Sequence, residues 1–337
     1  MKAAVFFRFS WLMLILLCGC DGNFTQVVEV NRKGIETKGV VFGLLSNSDI
    51  RDSVFFEQNY DRDKNGIALF NRIYVSHSSP SSQPQNVFYG GKVELRSESG
   101  DLDIQYFETD NKNTDKEPFF AVLSSFEPGN VYFLTARCEG QKSGPKEIQW
   151  TPVAAIDTMP LPVEIQIENA EVRHPDLEGT VSEGFIDIKI KDEPYRFNAY
   201  QVEISVIQNV TNENGLPYTI IIPAVVEGSE DRVNSEVFGT YHLNLMTQAA
   251  FNRQGQRRIN FTFPANNSSF NRQKPVTLMI RLSNLSDNYL EFVTSSRQYY
   301  ANGDNPFAEP TEIYSNIDNG YGIFAFSTRS FAEIIVE

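Results

Sequence analysis

Along most of the chain, apolar and polar residues alternate with a period of two. The pattern is clearest in VELRS (93–97), VEIQIEN (163–169), FIDIKIK (185–191), YQVEISVI (200–207), RINFTF (258–263) and TLMIRLS (277–283). In FIDIKIK, Ile186, Ile188 and Ile190 point one way while Asp187, Lys189 and Lys191 point the other. Successive side chains of a strand leave opposite faces, so each segment has one packed and one wet face, as in antiparallel sandwiches. Clusters of Ser, Pro, Asn, Asp and Gly separate them, as in SSPSSQPQN (78–86), TDNKNTDKEP (109–118) and TNENGLP (211–217). FEPGNVYFLTARCEGQKSGPKEIQW (126–150) reads as turn, strand, turn, strand, with Tyr132, Leu134, Ala136 and Cys138 on one face. This hairpin closes an Ig-like unit. The three prolines of TPVAAIDTMPLPV (151–163) then predict a linker over 153–162. The pattern as a whole predicts a mostly β protein of two antiparallel β-sandwich (Ig-like) domains, 20–152 and 163–337.

One segment departs from period two. In SNLSDNYLEFVTSSRQYY (283–300), Leu285, Tyr289, Phe292, Val293 and Tyr300 fall near helical spacing, and Ser286 with Asp287 suits a helix N-terminus. A short amphipathic helix over about 286–300 is therefore expected, covering one end of the second sheet; a partner-binding helix is the other reading.

The N-terminal segment changes the setting of this body. A basic start with Lys2 and Arg8 leads into an apolar run from Phe9 to Leu17, too short for a membrane span of roughly 20 residues. It has the form of a secretory signal peptide over 1–19. Leu17-Cys18-Gly19-Cys20 resembles a bacterial lipobox, which makes Cys20 the acylated mature N-terminus and leaves Cys18 on the discarded peptide. A metal or redox pair fits less well, because Cys-x-Cys lacks the two-residue gap and no histidine lies nearby. Cys138 then remains without a disulfide partner and reads as a small buried hydrophobe. Removing Lys2 and Arg8, two cations and no acid, takes the formal charge from -14 to -16. Nucleic acid and anionic headgroups are poor partners for such a body, so membrane attachment is expected from the lipid alone. At 41% hydrophobic and 12% aromatic residues the chain has material for substantial cores.

Candidate chemistry is sparse. Asp61, Asp63 and Asn65 before Gly66 reproduce the start of a calcium loop, but position twelve is Arg72 where a bidentate glutamate belongs. A structural turn is the preferred reading and calcium the alternative, so no cofactor is expected unless it is Ca2+. His77, His174 and His242 lie far apart without metal-ligand spacing, and no G-x-S-x-G or H-E-x-x-H occurs. Acidic pairs of the glycosidase kind are recognised only in space; a non-enzyme is expected. Asp52-Ser53-Val54 and Asp157-Thr158-Met159 resemble O-glycosylation tripeptides of Bacteroidota envelope proteins, at a frequency that chance also produces. In YSNIDNGYGIFAFS, Asn316, Asp318, Asn319, Gly320 and Gly322 accept tight-turn geometry before a final strand containing Ile323, Phe324 and Phe326. A turn pinning that strand is preferred; the alternative is a ligand or partner loop of Tyr314, Asn316, Asp318, Asn319 and Tyr321.

NPFAEPTEIYSNIDNGYGIFAFSTRS (305–330), the helix before it, the PGNVYFLTARCEG strand and the proline-rich link before IDTM together resemble the Bacteroidota lipoprotein family called domain of unknown function 4249. The loops within 55–90 and 208–240 look individual to this chain. The resemblance implies an outer-membrane lipoprotein of two β-rich domains, often found beside TonB-dependent transporters, with no assigned chemistry. The expected function is thus a lipid-anchored binding protein accessory to such a transporter. The alternative is a fimbrial-type structural subunit assembled by donated strands, for which a cut at Arg32 or Lys33 would be needed. A single acidic residue, Asp21, follows Cys20 before GNF, which leaves surface-exposed and periplasm-facing anchorage both open.

Overall fold

The computed structural model describes residues 38–47, 71–77, 92–107, 119–137, 152–174, 180–191, 198–211, 215–227, 232–235, 239–242, 245–247, 250–265, 270–302 and 312–337. Cys20 and the signal segment, the loop of Asp61, Asp63 and Asn65, Cys138 and the first residues of the 305–330 signature lie outside them.

The chain is mostly β with one helix near its C-terminus. In order, the strands are β1 (Gly39–Ser46), β2 (Arg72–His77), β3 (Lys92–Ser97), β4 (Gly100–Asp101), β5 (Ile104–Phe107), β6 (Phe119–Val122), β7 (Val131–Arg137) and β8 (Val153–Thr158). Then come β9 (Glu164–Arg173), β10 (Val181–Lys191), β11 (Ala199–Thr211), β12 (Pro217–Pro223), β13 (Val225–Val226), β14 (Arg232–Ser235), β15 (Gly239–His242) and β16 (Leu245–Thr247). β17 (Gln256–Pro264), β18 (Val276–Leu285), helix α1 (Asp287–Asn302) and β19 (Gly320–Val336) complete it.

A nine-stranded sheet runs β12-β11-β18-β19-β1-β2-β6-β5, with β16 also on β11. Two four-stranded sheets, β4-β3-β7-β8 and β13-β17-β10-β9, pack against it through separate cores. The first core joins Val41, Leu45, Ile73, Leu95, Tyr132 and Leu134 to Phe324 and Phe326; the second joins Ile186, Ile188, Tyr200, Val202, Phe261 and Leu282. Even-numbered residues of β19 serve both, because Phe324 and Phe326 enter the first while Ala332, Ile334 and Val336 pack on the second. Both cores therefore lie on one face of the large sheet.

The alternation in FIDIKIK appears as expected, with Ile186, Ile188 and Ile190 buried against β17, and a bulge between Asp187 and Ile188 accommodates an extra β9 residue. Two features depart from the expectation. Val153–Thr158, within the expected linker, is a strand antiparallel to β7. The prolines flank it at 152 and 160 rather than interrupting its ladder, so composition alone misplaced it. The sheet is also not purely antiparallel: β19 pairs with β1 in parallel, Gly39 opposite Gly320 through Ser46 opposite Ser327. One sheet thereby crosses the expected boundary between the halves.

The other face of the large sheet carries α1. Phe42 meets Phe292 edge to face at 5.6 Å, and Val293, Tyr289 and Phe292 cluster with Leu245. Ser286 caps the helix, accepting from Tyr289 N–H at 3.3 Å. Beneath it Arg281 Nε donates to Glu203 Oε2 at 2.7 Å across neighbouring strands, and burial pushes the Tyr289 hydroxyl up to about 12. Arg72, position twelve of the calcium-like motif, begins β2 and lays its guanidinium over Phe119 at 4.4 Å.

Candidate functional site

In VAAIDTM, residues 153, 155, 157 and 159 face inward, so an aspartate occupies an apolar position. Asp157 is 6% exposed. Its Oδ2 accepts from Phe326 N–H of β19 at 2.8 Å, and its Oδ1 accepts from Asn288 Nδ2 of α1, also at 2.8 Å. The Ser286 hydroxyl and Thr158 N–H add further bonds. Burial nevertheless pushes this carboxyl up to about 6, prevailing over donors that would lower it. One side chain thus ties β8 to β19 and to the start of α1.

The expected loop residues support the same junction. Tyr314 donates its hydroxyl to Asn288 Oδ1 at 2.6 Å and its N–H to Ser295 Oγ at 2.8 Å. The Tyr314 hydroxyl is pushed up, chiefly by burial and then by the charges of Glu291 and Asp157. Asn316 makes a reciprocal pair with Phe324: its Nδ2 donates to the carbonyl at 2.7 Å and its Oδ1 accepts from the N–H at 2.9 Å. Asp318 N–H donates to Ala154 O at 2.8 Å, while Asn319 adopts φ 60. Tyr321 is 47% exposed, with Lys38 Nζ 5.2 Å from its ring centre. Tyr314 and Asn316 are therefore engaged in holding the segment, and Tyr321 is the more exposed of the two tyrosines. Replacing Asn316 by alanine leaves both main-chain groups of Phe324 without their partner. We expect a loss of about 2 kcal/mol in urea unfolding, whereas Tyr321→Ala should change stability by less than about 0.5 kcal/mol.

Between β8, the chain at 159–161 and the start of α1 lies a cleft of about 800 Å³. Ile156, Asp157, Leu161, Leu285, Asp287 and Asn288 are among its walls, and among the described residues no lysine, arginine or histidine lines it. Ile156 and Leu161 are 51% and 42% exposed there. Asp157 and Asn288 were not among the site residues expected from sequence. The legible signal was an acid at the inward phase of VAAIDTM, and the tripeptide Asp157-Thr158-Met159 is used structurally, since Met159 is fully buried. Among the described residues no group of His, Cys, Asp and Glu could hold a metal ion. His174 Nδ1 lies 2.6 Å from the Ser182 hydroxyl, the ring standing edge to face with Phe263 and Phe270, and burial followed by Arg272 lowers its pKa. Ser182 is 1% exposed, so its hydroxyl is closed to a substrate, while His174 is half-buried. No described helix is long and apolar enough to cross a membrane.

A family model described as a domain of unknown function (DUF4249) matches residues 71–331. No curated protein matches the chain. Among solved structures, the Fcho1 Mu homology domain of Danio rerio with bound Eps15 peptide is similar at 7% identity over 89% of this chain and 95% of that one. Its TM-score of 0.19 carries no argument about fold or function.

Proposed function

The chain belongs to the family of the domain of unknown function DUF4249, and from that premise we propose that it is a lipid-anchored binding protein of the outer membrane, accessory to a TonB-dependent transporter. The observation that carries the binding part is the cleft of about 800 Å³ between β8, the chain at 159–161 and the start of α1. Its volume lies within the range of small-molecule sites, and its walls mix apolar side chains with a few fixed polar groups. Capture rather than transformation is the reading, supported by the acid of the cleft being bonded into the scaffold. The anchor is supported by Leu17-Cys18-Gly19-Cys20 after a basic start and a short apolar run. The transporter is supported by the family resemblance. A tether raises the effective concentration of the body at a membrane partner, so a weak interface suffices.

The structural-subunit reading gains less support. A cut at Arg32 or Lys33 lies before β1, whose Val41 and Leu45 are fully buried, so it would leave that strand in place.

The test is gentle detergent extraction and quantitative pull-down of the acylated chain. A TonB-dependent transporter encoded nearby should co-purify above an unrelated lipoprotein control. With Cys20→Ala, alkyne fatty-acid label and transporter recovery from membranes should both be lost. Label retained on the variant would overturn the anchor, and no transporter above control would overturn the accessory role.

A further inference from the structure

We propose that Asp157, Asn288 and Tyr314 form a proton-driven relay: when Asp157 takes up a proton, the Asn288 amide turns over and both hydrogen bonds of the chain reverse. The geometry of the junction leaves the proton one place to go. Asp157 Oδ2 is held by the Phe326 main-chain N–H at 2.8 Å, and the Thr158 N–H adds a second main-chain donor that cannot turn away. The Ser286 hydroxyl bonds to the carboxylate and already accepts from the N–H groups of Tyr289 and Phe326, both at 3.3 Å. A hydroxyl has two acceptor positions, so Ser286 has none left for a protonated acid. Asn288 differs, because its amide carries a donor and an acceptor that exchange places on a half-turn of the group.

With the carboxylate ionised, the amide has one orientation. Nδ2 donates to Asp157 Oδ1 at 2.8 Å and to Ile156 O at 3.1 Å, and Oδ1 accepts the Tyr314 hydroxyl at 2.6 Å. A proton on Asp157 Oδ1 sets donor against donor, and the half-turn removes the conflict. Asp157 then donates to Asn288 Oδ1 and Asn288 Nδ2 donates to the Tyr314 oxygen. The Tyr314 hydrogen swings away into the field of Glu291, the foremost charge acting on that hydroxyl. One proton enters from solvent and none leaves, since Tyr314 stays a phenol. Ile156 O is left with Asn316 Nδ2 at 3.5 Å. Burial pushes Asp157 up to about 6, which sets the pH at which the relay turns. The other ionisable groups around it, among the described residues, are Asp287 and Glu291 on α1 and Tyr132 opposite on β7, whose hydroxyl is bonded to the main chain of Glu127. Asp157 and Asn288 both line the cleft, so the relay exchanges a carboxylate for a neutral acid in its wall, whether or not the cleft takes a ligand.

Neutron diffraction from deuterated crystals of the mature chain near pH 5 and near pH 7.5 tests this, because nitrogen and oxygen scatter neutrons differently and deuterons are seen directly. We expect the Asn288 amide and the Tyr314 deuteron in opposite orientations at the two pH values. In solution the Asn288 Nδ2 protons should show a several-fold stronger Overhauser contact with the Tyr314 ring near pH 5, with a midpoint of about 6. Asp157→Asn should hold the low-pH orientation throughout, since its oxygen must face the Phe326 N–H and its amide nitrogen then faces Asn288. A single amide orientation at both pH values in the parent protein overturns the relay, whether or not the variant folds, and so does a pH-dependent turn that persists in Asp157→Asn.

Discussion

Gly322→Ala is expected to cost at least about 3 kcal/mol, enough to shift the urea midpoint far below that of the parent protein or to prevent folding. Gly322 sits at φ 110, where a side chain is strained, and an added Cβ would lie within 1.9 Å of the carbonyl oxygen of Val41. That oxygen belongs to β1, directly opposite in the parallel register, so relief requires the two strands to part. Their separation would open the first core, to which both Val41 and Phe324 belong. Gly100 provides the contrast: its φ is 137, but nothing lies within 4 Å of an added Cβ. Gly100→Ala should therefore show backbone strain alone, about 1 kcal/mol. Equal costs at the two positions would contradict the close approach of β1 and β19.

Acidification from pH 7 to pH 4 is expected to stabilise the parent protein relative to Asp157→Asn by on the order of 3 kcal/mol. The carboxyl is raised from 3.8 to about 6, so between those values the folded state binds more proton than the unfolded chain. Its contribution to stability is present in full below about pH 4 and is lost as pH rises through about 6. Half-buried Glu94, Glu171 and Asp187 act in the opposite sense, because Lys92, Arg173 and Arg258 hold their pKa values down. The difference between parent and variant isolates Asp157 from them. Chemical denaturation at several pH values checks this, and a difference that does not change with pH would show that the carboxyl is not the titrating group.

Local periodicity carried much of the strand content. Ile186, Ile188 and Ile190 read as one buried face because a strand's alternation is a property of neighbouring residues, and Ser286 read as a cap because its hydroxyl reaches only three residues on. The parallel pairing of β1 with β19 left no such local trace, since it depends on which remote edge is free once the other strands have paired. β8 was obscured by Pro152 and Pro160, whose effect as chain breakers stops at the ends of the strand between them. The junction at Asp157 was half legible. An acid at an inward position of VAAIDTM is visible in the sequence, but its partners come from residues 286, 288 and 326. The turn at 316–322 was read as a clamp on the last strand or a ligand loop, and the Asn316 pair with Phe324 favours the clamp.

The pairing of Gly39–Ser46 with residues 320–327 also sets an order of events during synthesis. A chain emerging from its N-terminus exposes the inner edge of β1 and the apolar side of β2 and β6 long before β19 exists to cover them. Loop closure over so long a separation is slow, and an open edge of this kind invites pairing with other chains. Maturation of the first half therefore waits on the last strand to arrive, and holdase protection would have its greatest effect in that interval.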